Sequence, residues 1–426
     1  MKNAARPQRR TFSEKAPSIV ANAWQRSVFR FFARILPFKI AGPSGRHSRL
    51  SEVTPAPAAE LCSAFFQSDN GGSYRRSAAT RIVGPTPSRA AVDAAADTIV
   101  EPPAFGIAQI DDAIVCGEGI ICKKTTDGFF AVSETLVNAV TERSILPLRR
   151  SRDNALFVDE NVRRRSLPGG YTYAFLRQVS DNNYGHWLIE GLPKVAILAE
   201  HFDIRSLKFI VTRHVATRQS APMRKIYLDS LAAFGVESHQ IVPMAREAVE
   251  VERLVYPLPL SVHPWVKAPR SIEILESLRD GIAIRRRGPK RIYVSRALAR
   301  KRHLRNEAEI LPILRDFDVS VIYPERHSFF NQVRLFADVE LVIGNCGANL
   351  ANAVFAPRGV KIFALASEAM RDDFFWDLAD LKSGSYFSLH GKATDPNPDM
   401  DSDFNIDPDG FRCMLEDACR TLTRAH

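Results

Sequence analysis

From about residue 100 onward, short apolar runs alternate with amphipathic stretches, and that alternation predicts strands and helices in turn. Apolar runs at 114–116, 119–122 and 129–132 lie between Gly- and Asp-containing turns and predict strands. Asn183 is placed to cap a helix, 208–212 predicts a strand and 223–234 a helix, with further strands at 240–243 and 253–256. The second half repeats the rhythm more regularly. Strands are expected at 291–295, 319–323, 341–344 and 360–365, and helices at 306–315 and 329–337, with a short helix opening after Gly347.

Strands separated by helices imply parallel βαβ units. The pattern therefore predicts an α/β fold of two Rossmann-like lobes facing across a cleft, with ligands at the carboxyl ends of the strands. Residues 96–265 would form the first lobe and 266–426 the second, joined by a helix at 271–287. The last helices can pack back on the first lobe. Between them, residues 395–409 carry six Asp with Pro and Asn, which predicts a solvated connector before a final helix at 411–421.

Residues 1–95 differ in texture. They are rich in Ala, Ser, Pro and Arg and predict a mostly disordered leader. Within it, 24–40 written as a helix gathers Trp24, Val28, Phe31, Phe32 and Ile35 on one side, with Arg26, Arg30 and Arg34 as a separate stripe. Such a helix suits an anionic membrane surface; it would equally dock on the protein's own body.

Charge sharpens this division. The 426 residues carry 58 Lys+Arg against 48 Asp+Glu, but eleven of those bases and a single acid, Glu14, lie in residues 1–50. The remainder holds 47 of each sign and is neutral. The basic balance thus belongs to the leader, and no nucleic-acid partner is expected of the body. The six cysteines include no CxxC pair, which argues against a zinc framework and for a reducing, cytoplasmic setting. No apolar stretch reaches the roughly 20 residues of a membrane-spanning helix. The three arginines of the leader helix also interrupt any secretory signal. A peripheral place on the inner face of the membrane would follow if 24–40 binds lipid.

Three motifs carry candidate chemistry. In Asp181-Asn182-Asn183-Tyr184-Gly185-His186-Trp187-Leu188-Ile189-Glu190-Gly191-Leu192-Pro193, His186 and Glu190 fall four apart on one helical face. That spacing suits a proton acceptor with an orienting carboxylate, and equally an ordinary His–Glu pair within one helix. Gly344-Asn345-Cys346-Gly347-Ala348-Asn349 follows an apolar run and fits either an anion cradle at a helix start or a tight structural turn. It lacks the spacing of a dinucleotide fingerprint or a P-loop. The stretch 285–305 holds ten Lys/Arg around Tyr293-Val294-Ser295-Arg296. Most of these would form a solvated basic face, while Arg296 sits at a strand end where a phosphate could be met. The DxD patterns at 399–403 lack a preceding buried strand and read as solvated, so no metal site is expected.

Together these blocks resemble glycosyltransferase family 61. Asn183 to Pro193 is similar to its first signature. Tyr293-Val294-Ser295-Arg296, Asn306-Glu307, Pro324-Glu325 and Ser328-Phe329 are similar to its second, and Gly344 to Pro357 to its third. The resemblance implies an inverting glycosyltransferase of GT-B type, using a nucleotide sugar and a glycan or lipid-linked acceptor. It further implies a role in capsular or other surface polysaccharide synthesis, with no cofactor and metal dependence open. Carried over, Arg296, Gly347, Ala348 and Asn349 would face the diphosphate, with Asn345 beside them and Glu325 at the nucleoside end. His186 with Glu190, and Asp181 second, would supply the base across the cleft, with Asn183 and Trp187 on the acceptor side. The third block commonly reads Gly-x-His-Gly-Ala-Gly-Leu-Thr-Asn; here Cys346, Asn349 and Ala351 replace its His, last Gly and Thr. Cys346 cannot supply an imidazole's charge or hydrogen bonds. A non-catalytic nucleotide-sugar-binding homologue is therefore the first alternative, and a nucleic-acid binder using the basic leader the second.

Overall fold

The computed structural model describes residues 50–69, 72–84, 98–137, 147–216, 221–263, 266–282, 288–370 and 372–420. The amphipathic segment 24–40 and Arg285–Arg287 lie outside them. The chain builds mixed α/β layers around two large sheets.

The second sheet follows the predicted rhythm. Its strands run in the order Ser320–Ile322, Arg291–Val294, Leu341–Asn345, Lys361–Ser367 and Ser385–Ala393, all parallel. Side chains alternate between two helical layers, as the twofold strand period requires. Ile292, Val294 and Val342 pack with Phe329, Val333 and Phe336 of the helix Phe329–Phe336. Tyr293, Leu341, Ile343 and Phe363 pack on the opposite side with Ile310, Leu314, Phe411 and Leu415 from the helices Glu307–Asp316 and Pro408–Arg420. Leu341–Asn345 and Lys361–Ser367 are buried along their whole length, which is why they read as continuous apolar runs.

The first sheet is mixed rather than doubly wound. Ile241–Met244, Leu207–Thr212, Thr172–Phe175 and Ala248–Pro257 are parallel neighbours. Beyond them, Ala248–Pro257, Phe105–Cys116, Ile120–Thr125 and Gly128–Val132 form an antiparallel meander. The reason is local. Gly117, Gly119 and Gly128 have positive φ and close turns too short for a crossover helix.

Residues 50–69 and 72–83, assigned by composition to the disordered leader, form defined strands and turns and require a correction. Leu50–Ala56 inserts between Gly128–Val132 and Leu156–Asp159, and Ala64–Asp69 pairs with Phe105–Cys116. Arg81–Val83 crosses to the second sheet and lies parallel to Ser385–Ala393, so a lobe boundary near 95 does not describe the chain's path. These segments are strands because of their partners, since β pairing depends on context more than on composition. Tyr74 donates to Asp377 Oδ1 at 2.5 Å, and Trp376 Nε1 to the Ser77 carbonyl at 3.0 Å, which fastens them. Among the described residues no helix is long and apolar enough to cross a membrane.

Candidate functional site

Asn183 caps the first motif as expected, its Oδ1 accepting from Gly185 N at 2.9 Å. One α-helical turn, Tyr184–His186, then widens into the π-helical turn Trp187–Gly191, closed by Leu192 N donating to the Trp187 carbonyl at 2.7 Å. Gly191 permits this: a Cβ there would stand 2.8 Å from the Trp187 ring. The turn sends Trp187 inward, where its Nε1 donates to Ser230 Oγ at 3.0 Å in the core. Trp187 is therefore a packing residue and does not line the acceptor side.

His186 and Glu190 meet as their spacing suggests, with Nδ1 3.1 Å from Oε2. A third residue joins them. His263, between the short strands Ser261–Val262 and Val266–Lys267, places Nδ1 3.2 Å from Glu190 Oε1, with its ring 4.1 Å from that of His186. Gln178 Nε2 also donates to Glu190 Oε2 at 2.7 Å, and Lys194 Nζ to Gln178 Oε1 at 3.0 Å. Gln178 is itself held from behind, because a Cβ on Gly119 would lie 2.7 Å from its Cα. Both carboxylate oxygens of the buried Glu190 thus have nitrogen partners within hydrogen-bond distance.

The charges follow from this packing. Burial would raise the Glu190 carboxyl, but the charges and hydrogen bonds of His186 and His263 overcome it and hold the group far below the usual carboxylate range. Burial works against an imidazolium at His186, yet Glu190 foremost, then Asp372 and Asp181, raises its pKa. Lys194, fully buried, falls to about 8, with Glu190 and Asp181 opposing the fall. Asp181, the second candidate base, is buried and committed to Arg177, Nε to Oδ2 at 2.7 Å. Burial raises it and Arg177 counters.

The glycine turn lies directly against this site. A Cβ on Gly185 would touch Ala348 Cα at 3.4 Å and Ala351 Cβ at 3.6 Å, and Tyr184 donates to Asn352 Oδ1 at 2.6 Å. Gly347, in extended conformation, is required by space and not by φ, since a Cβ would overlap the Arg296 guanidinium. Arg296 donates through Nη2 and Nε to the Lys301 carbonyl at 3.0 and 3.3 Å. Burial and then Arg302 act against its charge, while Glu325 supports it. Arg302, at positive φ, reaches the Cys346 carbonyl at 3.5 Å. Two guanidinium groups at the start of the helix Ala348–Phe355 make a site that an anion would relieve.

The other donor-side candidates divide. Asn349 Nδ2 donates to Glu325 Oε1 at 2.5 Å, so these two address each other beside Arg296. Asn345 is buried; its Nδ2 supports the Arg302 carbonyl at 2.9 Å and its Oδ1 has no partner among the described residues. Burial first, then Asp372, pushes the Cys346 thiol up to about 12, so it stays protonated and is no nucleophile. Asp372 acts electrostatically on both His186 and Cys346, raising the pKa of each.

The acidic connector is not simply solvated. Asp401 pairs with Lys301 at 2.5 Å and Arg302 at 3.2 Å, and Asp403 with His303 at 3.0 Å and Arg305 at 2.6 Å. It clasps the loop that carries Arg296 and Arg302. Sequence reasoning missed His263, Gln178 and Asp372, which no motif includes, and did not distinguish Arg302 within the basic stretch 285–305.

Comparison with known proteins agrees with the resemblance. Residues 184–363 match the family model described as Glycosyltransferase 61, a span that covers all three blocks from Tyr184 onward. No curated protein matches the chain.

Proposed function

Residues 184–363 being a glycosyltransferase 61 segment, we propose that the protein moves a sugar from a nucleotide-sugar donor to a glycan or lipid-linked acceptor, with inversion. The supporting observation is the contact between the turn carrying His186–Glu190 and the helix that follows Gly347, where Gly185 abuts Ala348 and Tyr184 bonds Asn352. In a GT-B reading, the sheet ending at Gly344–Asn345 holds the nucleotide and the His186 side receives the acceptor.

The reaction is one in-line displacement. The acceptor oxygen forms a bond to the anomeric carbon as the bond to the diphosphate oxygen breaks. His186, oriented by Glu190, takes the hydroxyl proton at the ring nitrogen not bonded to Glu190. Arg296, Arg302 and the helix start at Gly347–Asn349 stabilise the charge gained by the nucleoside diphosphate. The acceptor would belong to a capsular or other surface polysaccharide pathway at the cytoplasmic membrane face, with residues 24–40 as the lipid contact. Liposome flotation of the full chain against a chain lacking residues 1–49 tests that last element, and equal partitioning of the two would remove it.

The donor site is tested by calorimetric titration with nucleoside diphosphates and nucleotide sugars, with and without divalent metal. Micromolar binding of one nucleotide, lost in Arg296→Ala, is expected. Absence of binding across the panel would sink the reading. Cys346, a buried thiol where the family commonly has His, favours the non-catalytic homologue as the second reading; binding without transfer to any acceptor would select it.

A further inference from the structure

Glu190 is one buried carboxylate facing two imidazoles. His186 Nδ1 lies on its Oε2 and His263 Nδ1 on its Oε1, at 3.1 and 3.2 Å. An ionised carboxylate can only accept, so both rings must present Nδ1–H to it and turn Nε2 elsewhere. One negative charge cannot fully compensate two imidazolium ions in a buried setting. Among the described residues, few groups face the cluster. Gln178 and Lys194 adjoin Glu190, while Asp181 and Asp372 act on His186. Phe374, 5.7 Å from His263, closes its far side with an apolar ring.

We propose that His263 is a positioning residue for the base: it holds the second oxygen of Glu190 and shares with His186 the charge that steadies an imidazolium. This rests on the reading of His186 as the base. The consequence has a definite sign. Each hydrogen bond to Glu190 draws charge from the carboxylate and weakens its support of protonated His186. His263 therefore keeps His186 less basic than a His–Glu pair alone would make it, and leaves more of it neutral and ready to accept a proton near neutral pH. It also fixes the carboxylate's rotation, so that Oε2 stays on His186.

The test needs no substrate. In full-length protein with ¹⁵N-labelled histidine rings, signals assigned by single replacement report tautomer and titration together. Expected are Nδ1–H tautomers for both neutral rings and a two-step titration of His186. His263→Ala should collapse this to one step at higher pH. His263→Asn, whose amide can donate from nearly the Nδ1 position but cannot ionise, should also titrate in one step, with its midpoint returned toward the lower wild-type range. An unmoved His186 curve in His263→Ala would overturn the proposal, as would an equal displacement in both variants, since packing alone would then explain it. Stoichiometric Zn²⁺ binding that removed both ring N–H signals in the wild-type protein would overturn it too. Failure to find glycosyl transfer would defeat the proposed function and leave this titration result standing.

Discussion

The Tyr184 hydroxyl donates to Asn352 Oδ1 at 2.6 Å, across 168 residues of sequence. Asn352 Nδ2 passes the chain on to Gln332 Oε1 at 2.9 Å, and Gln332 Nε2 reaches the carbonyls of Pro324 and His327, both at 3.1 Å. Every one of these side chains is buried. A single satisfied network therefore ties the turn carrying His186 to the glycine-turn helix and to the loop bearing Glu325, and it fixes their spacing.

Tyr184→Phe should destabilise the protein by about 1–3 kcal/mol, because Asn352 Oδ1 is left buried without its donor. Denaturant unfolding of the full chain measures this. Asn352→Leu in the same background should cost less than in the wild type, and strictly additive effects would deny the coupling.

Gly347→Ala should fold normally, since residue 347 is extended and any L residue can adopt that backbone. The added methyl displaces the Arg296 guanidinium, so nucleotide affinity should fall about ten- to a hundredfold, the worth of a charge-assisted phosphate contact. Calorimetry against the preferred nucleotide decides, and wild-type affinity would show that Arg296 does not meet the phosphate.

His186→Ala should lower turnover by about 10²–10⁴-fold while nucleotide affinity is nearly kept. The raised pKa of His186 means that wild-type turnover should increase as pH rises through that value, because only neutral imidazole accepts a proton. In Glu190→Gln the carboxylate's support is gone and burial is opposed only by the more modest effects of Asp372 and Asp181, so this rise should move to lower pH and the maximum should drop. A pH profile unchanged in Glu190→Gln would place the base elsewhere.

Lys267→Met should cost about 3–5 kcal/mol, because it leaves Asp377 fully buried without its nearest cation. Lys267 Nζ lies 3.0 Å from Asp377 Oδ2, while Arg76 stands at 3.9 Å. Since Asp377 also anchors Tyr74, limited proteolysis should cut more readily near 77–84 in the variant. Unaltered thermal unfolding and cleavage would contradict this anchoring.

The sequence by itself determined four strands of the second sheet, though not Ser385–Ala393 or Arg81–Val83. Strand and helix periods from 291 to 365 are local properties of consecutive residues, and both faces of those strands are buried by adjoining helices. It also determined that Asn183 caps a turn and that His186 meets Glu190, because a spacing of four is short enough for one helical turn to decide. Tertiary structure decided the rest. Whether Trp187 faces acceptor or core depended on the π-helical widening, which Gly191 permits but no periodicity signals. His263 meets Glu190 from 73 residues away, and Asp401 meets Arg302 from 99, because of the path of the chain between them. The same holds for residues 50–69 and 72–83. Their Ala, Ser, Pro and Arg content is that of a linker, and only sheet edges supplied from far along the chain, with their unpaired N–H and C=O groups, make strands of them.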